Sequence, residues 1–198
     1  MVGKFHRIET DRLIVDYGTV EDYKKIHEYD FNDLQNTFGI MKLTKNNPRD
    51  VESWFGENIE DWYRHVESQN HYQVVVFLKE SNEPIADIGF DRIVEDINAI
   101  EISCWLHPKY WGNGYMTEAL ISTMNYIYDQ GYDNIIAGYF EGNDRSKKLQ
   151  KRLGFIPFGI EYSSSNYGKI KSYKNILSKE KFLELYGEMN KPKEKWKK

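Results

Sequence analysis

Between Ala99 and Gly131 the sequence changes its period, and the change falls across two glycines. "AIEISCWL" (99–106) reads as a strand rich in β-branched and aromatic residues. Beyond "KYWGNGYMTEAL" (109–120), Met116, Ala119, Leu120, Met124 and Ile127 recur at helical spacing. Glu118, Ser122, Asn125 and Asp129 fall on the opposite side, and Gly131 stops the helix. Gly112 and Gly114 have no side chains to offer, so what they contribute comes from the backbone. A helix start exposes unpaired N–H groups and the positive end of the macrodipole. Glycine lets a ligand approach that backbone and allows the positive φ that a nest of N–H groups needs. Strand, "GNG" and amphipathic helix together specify a pyrophosphate cradle. The same residues also fit a tight strand-to-helix turn with no ligand. Two common phosphate loops are excluded: G-x-x-x-x-G-K-[ST] is absent, and a dinucleotide fingerprint needs glycine where this chain has Thr117.

The flanking sequence supplies the rest of a layered domain. "RLIVDY" (12–17) is a strand, followed by a helix over "TVEDYKKIHEYD", with Thr19 as N-cap and Asp22 three residues on. A second helical stretch starts near Pro48 and places Phe55, Ile59, Trp62, Tyr63 and Val66 at helical spacing. "YQVVVFLK", "IADIGFDRIV" and "AIEISCWL" are joined by short turns and read as an antiparallel meander. After the amphipathic helix come the strand "DNIIAGYF", the short helix "NDRSKKLQKRL" closed by Gly154, the strands "FIPFGIEYS" and "KIKSYKNIL", and a last helix from Ser178 to about Tyr186. The two strands flanking the amphipathic helix are expected to run parallel. This order predicts an α+β fold, a mixed, mostly antiparallel sheet of six to seven strands covered by helices. Residues 1–187 are expected to form one domain, and 188–198 a solvated basic tail.

Composition narrows the function classes. The 198 residues carry a formal net charge of −4, without the basic excess usual in a nucleic-acid binder. Cys104 is the single cysteine, so no internal disulfide forms, which suits a reducing compartment. The opening "MVGKFHRIET" lacks a signal peptide's apolar run, and no stretch has the length of a membrane span. A cytoplasmic enzyme or binding protein without metal is expected, since the five histidines show no ligand spacing.

Three motifs in order resemble the GNAT superfamily of acyl-CoA-dependent N-acetyltransferases, whose phosphate loop is [QR]-x-x-G-x-[GA]. "KYWGNG" matches it with Lys109 in the first position instead of Gln or Arg. "ETDRLIV", "EISCWLHPKYWGNGYMTEAL" and "NDRSKKLQKRLGF" resemble the ribosomal-protein N-acetyltransferase (RimJ/RimL-like) branch over roughly residues 8 to 177. The resemblance implies a cleft where two central parallel strands splay apart to take acetyl-CoA as co-substrate. Its pyrophosphate would meet the backbone of Trp111, Gly112, Asn113, Gly114, Tyr115 and Met116. The pantetheine arm would run along the strand ending at Leu106, near Asn143.

The implied reaction is attack of a neutral amine on a thioester. An α-amine is roughly a tenth free at pH 7 and a lysine far less, so a lysine needs more help. A strand N–H near Leu106 is the expected donor to the oxyanion, as the resemblance suggests. Glu101 is the candidate general base, its pKa expected to rise if it is buried; the alternative is a solvent-facing or salt-bridged strand glutamate. Ser146 is the candidate donor to the departing thiolate. Asn143 suits both a plain N-cap and a contact with the pantetheine arm. Many GNAT enzymes carry a tyrosine acid where this chain has Gln150, which cannot supply a proton in that way. Lys147, Lys148 and Lys151 fit either a 3′-phosphate or a solvated face. Cys104 is expected to pack, and Trp54, Trp62 and Tyr63 to join the core. The acceptor implied is a protein N-terminal α-amine, with a small-molecule amine as the other enzymatic reading. A non-catalytic acyl-CoA-binding module on the same fold is the alternative of another class. Monomer and homodimer both stay open.

Overall fold

The computed structural model describes residues 5–27, 73–165 and 168–187. The helix expected after Pro48, with Trp54, Trp62 and Tyr63, lies outside these residues, as does the tail 188–198. Among the described residues, eight strands form one sheet: β1 (Ile8–Glu9), β2 (Leu13–Asp16), β3 (Gln73–Leu78), β4 (Pro84–Val94), β5 (Ala99–Leu106), β6 (Asn134–Phe140), β7 (Ile156–Ser165) and β8 (Gly168–Ser178). Their spatial order is β1-β2-β3-β4-β5-β6-β8-β7. The expected six to seven strands become eight because Ile8 and Glu9 fold back onto Val15 and Ile14. A two-residue strand is too short to leave a period in the sequence.

Every neighbouring pair is antiparallel except β5 and β6, which run parallel with Ala99 opposite Asn134 and Ile102 opposite Ala137. Between them the chain makes helix α2 (Tyr115–Asp129). Helices α1 (Val20–His27), α3 (Asp144–Leu153) and α4 (Lys179–Tyr186) are the other described α-helices.

Two apolar layers cover the sheet. On one face Met116, Ala119, Leu120, Met124 and Ile127 of α2 pack with Leu153 and Phe182 against Val76, Ile88, Ile100 and Ile135. All five residues of the α2 stripe are buried. Each large side chain so buried contributes about 1.5–3 kcal/mol relative to exposure. On the other face Tyr23 and Ile26 of α1 cover Ile14, Val75 and Phe77. The α1 start forms the capping box expected of it: Asp22 N–H donates to Thr19 Oγ1 (3.2 Å), and Thr19 N–H to Asp22 Oδ2 (2.9 Å).

Candidate active site

The parallel ladder stops halfway along both strands. Ile102↔Ala137 is its last register pair, although β5 runs on to Leu106 and β6 to Phe140. The residues beyond are held from their outer sides, β5 by β4 and β6 by β8. Antiparallel ladders alternate which residues turn their backbone groups toward a given neighbour. His107 N–H donates to the Ile85 carbonyl, which puts residues 103, 105 and 107 in phase with β4. Cys104 and Leu106 therefore direct their N–H and C=O toward β6. The Leu106 carbonyl meets the Trp111 indole there, which donates to it at 2.9 Å. An open slot lined by strand amides follows from the divergence of the two strands.

Above that slot sits the glycine loop. Pro108–Tyr110 is a single 3-10 turn, and α2 starts at Tyr115 with Gly114 as its N-cap. Gly112 (φ +80°) and Gly114 (φ +77°) both take the left-handed conformation. A Cβ added at Gly112 would meet nothing within 4 Å, so the loop presents bare backbone to open space. Asn113 Nδ2 donates to the Tyr110 and Trp111 carbonyls and tightens the turn. Arg12, just before β2, braces the loop: Nη1 donates to the Asn113 carbonyl (3.0 Å), Nε to Glu118 Oε2 (2.7 Å), and the guanidinium lies over the Tyr115 ring. Thr10 Oγ1 and Arg12 N–H donate to the other Glu118 oxygen. The opening "TDRL" is thus a support for the glycine loop. These residues fit a diphosphate: the Tyr110, Trp111 and Asn113 carbonyls are tied back, a helix start follows, and the space at Gly112 is free.

Across the slot, the first turn of α3 faces the loop. Arg145 stacks over the Trp111 ring at 4.2 Å and joins the two. Asn143 is the N-cap, its Oδ1 accepting from Ser146 N–H (3.1 Å). Ser146 Oγ accepts from Gln150 Nε2 (3.1 Å), which leaves its own O–H to donate elsewhere.

The second sheet face carries acid. Glu101 is half-buried and ion-paired with Lys174, which also reaches Glu161 Oε2 at 3.2 Å. Lys174 belongs to β8 and crosses over β6 to make this contact. Gly138 allows the crossing, because a Cβ there would lie 3.3–3.5 Å from the lysine Cδ, Cε and Nζ. Asp87 is buried on β4 opposite Trp105, four residues along β5 from Glu101, and accepts from Gln73 Nε2 at 2.7 Å.

The sequence family follows from comparison with known proteins. The model for the acetyltransferase (GNAT) domain matches residues 12–156. The chain belongs to the GNAT acetyltransferases. An uncharacterized N-acetyltransferase, YoaA of Bacillus subtilis (strain 168), is 25% identical over 158 residues, spanning 79% of this chain and 86% of that protein. The ribosomal-protein-S5-alanine acetyltransferase from Vibrio fischeri shares the fold at a TM-score of 0.62 and 18% identity, over 90% of this chain and 99% of that one. Mycobacterium smegmatis RimJ, solved in complex with CoA-disulfide, shares it at 0.66 and 13% identity, over 88% of this chain and 89% of that one.

In this GNAT chain Leu106, the glycine loop, Asn143 and Ser146 lie around the slot, while Trp111 and Cys104 depart from expectation. The Trp111 N–H is not available to a ligand, because it donates to the Pro108 carbonyl at 3.1 Å within the 3-10 turn. Gly112, Asn113, Gly114, Tyr115 and Met116 remain at the loop and helix start. Cys104 does not pack in the core: it is accessible to solvent while enclosed by protein, and burial pushes its thiol up to about 12. That combination describes a residue on the floor of a cleft. Glu101 is not a bare buried carboxylate, since it is ion-paired with the Lys174 ammonium. Lys109, in the variant first position of the loop motif, pairs with Glu83 at 3.4 Å. Lys174, Arg12 and Asp87 were missed by sequence reasoning. Nothing local marks Lys174 or Asp87, whereas Arg12 lies within the quoted "ETDRLIV" and that motif was the available signal.

Proposed function

We propose that this chain transfers an acetyl group from acetyl-CoA directly to a primary amine, with a protein N-terminal α-amine as the acceptor. The observation that carries this reading is the slot between β5 and β6, open beyond Ile102↔Ala137 and headed by the glycine loop. In it the diphosphate rests on amides from Gly112 to Met116. The pantetheine arm runs along Cys104 and Leu106, beside Asn143. The Leu106 N–H supports the oxyanion, Glu101 receives the amine proton directly or through water, and Ser146 donates to the departing thiolate. Glu101, Glu161 and Asp87 make the acceptor side acidic, which suits a cationic amine. The RimJ/RimL-like motifs and the S5-alanine acetyltransferase fold relative favour the protein N-terminus over a free small amine.

The test is thiol release from acetyl-CoA with a panel of N-terminal peptides, spermidine and other small amines. Turnover with peptides supports the proposal, and mass spectrometry then places the acetyl group on the α-nitrogen. Turnover with small amines alone moves the acceptor to the other class. CoA binding with no turnover on any amine makes the chain a binding module.

A further inference from the structure

The slot between β5 and β6 needs a device that keeps it open. The β6–β8 ladder continues through Glu141 N–H to the Lys171 carbonyl, so residues 137, 139 and 141 are in phase with β8. Residues 136 and 138 therefore turn their backbone groups toward β5. With Glu101 opposite Ile136 and Ile102 opposite Ala137, the next bond of the parallel ladder would run from Cys104 N–H to the Gly138 carbonyl. It is the first ladder bond that the register omits. The Gly138 carbonyl accepts from Gln150 Nε2 of α3 instead, at 2.9 Å.

Gln150 is buried and held on every polar atom. Its Nε2 also donates to Ser146 Oγ (3.1 Å), and its Oε1 accepts from Asn175 Nδ2 on β8 (2.6 Å). Asn175 is buried too. A flexible side chain is thereby fixed between α3, β6 and β8, with its amide where a strand neighbour would sit. Without this amide the Gly138 carbonyl is left to the partner that the parallel register assigns it, the Cys104 N–H across the slot.

We propose that Gln150 is a positioning residue that substitutes for a strand partner at Gly138, holding β5 and β6 apart so that the Cys104 and Leu106 amides stay open to an acyl-pantetheine arm. Its effect on the ligand rests on the function proposed above; its effect on the strands does not. The side chain that cannot act as an acid here acts as a wedge.

The full chain, Gln150→Glu, Gln150→Met and Asn175→Leu are compared by NMR-detected amide exchange without ligand and by calorimetric titration with CoA. Gln150→Glu keeps the size and the acceptor but loses the donor; Gln150→Met keeps the length alone. Asn175→Leu releases the same amide from its far side and carries the test if a Gln150 variant does not fold. Expected are Cys104 exchange slowed at least tenfold, as that N–H gains the Gly138 carbonyl, and CoA affinity weakened at least tenfold. Cys104 exchange unchanged or faster in the folded variants overturns the proposal, and so does unchanged CoA affinity. If the unaltered chain does not bind CoA, the ligand reading fails by itself, and Cys104 exchange still decides the role of Gln150.

Discussion

Gly112 and Cys104 each turn one local property into a measurable consequence. At Gly112 an L side chain must adopt φ +80°, which costs about 1 kcal/mol, yet its Cβ would touch no protein atom within 4 Å. Gly112→Ala should therefore lose about 1 kcal/mol of stability in denaturant unfolding but weaken CoA binding at least tenfold by calorimetry. Unchanged CoA affinity would mean that no ligand comes near that backbone. Cys104 is exposed, which alone would make it reactive, but its thiol is pushed up to about 12. At pH 8 roughly one molecule in 10,000 carries the thiolate. Labelling with a disulfide reagent at pH 8 should be orders of magnitude slower than for a free thiol, and should accelerate steadily as pH rises toward 12. The two glycines were legible in the sequence because glycine has few reasons to recur at a strand-to-helix handover. Exposure of Cys104 was not legible: alternation along "AIEISCWL" places it on the same face as buried Ile100 and Ile102, and the separation of β6 uncovers it.

At the scale of elements, α2 is positioned at its N-terminus by an arginine roughly a hundred residues away in the chain. Arg12 binds the loop carbonyl of Asn113 and the first-turn carboxylate of Glu118 through separate nitrogens. The pair is partly exposed, so its stabilising effect is screened and stays at about 1 kcal/mol. Arg12→Ala should weaken CoA binding about fivefold, with the ligand-free melting temperature falling by only a few degrees. Arg12→Lys should not restore affinity, because a single ammonium lacks the fork that spans both partners. Rescue by lysine would refute the brace. Element positions were well read from period alone: α2 was expected with its buried face, and β5 with both ends, as found. Strong amphipathic periods survive folding unchanged because the core they demand is the core they get. The short β1 escaped, since two residues carry no period.

For the whole molecule, ligand binding and folding are one equilibrium. If CoA occupies the slot, a concentration about 100 times its Kd adds about 2.7 kcal/mol, raising the melting temperature of a chain this size by about 5–10 °C. A thermal scan with and without CoA checks this; no shift at saturating CoA would leave the slot without its ligand. The sequence by itself determined the layered α+β class, the order of strands and helices, the glycine loop at a helix start and the motifs of the GNAT family. Those features depend on neighbours within about a dozen residues, where side-chain period and backbone freedom act directly. Only the tertiary structure decided how the two central strands part, that Lys174 reaches over Gly138 to Glu101, and that Gln150 fills the place of a strand donor. Those contacts join segments far apart in the chain, and their chemistry comes from burial and from bonds that one strand withholds from the other. Neither has any trace in the order of residues until the sheet is assembled.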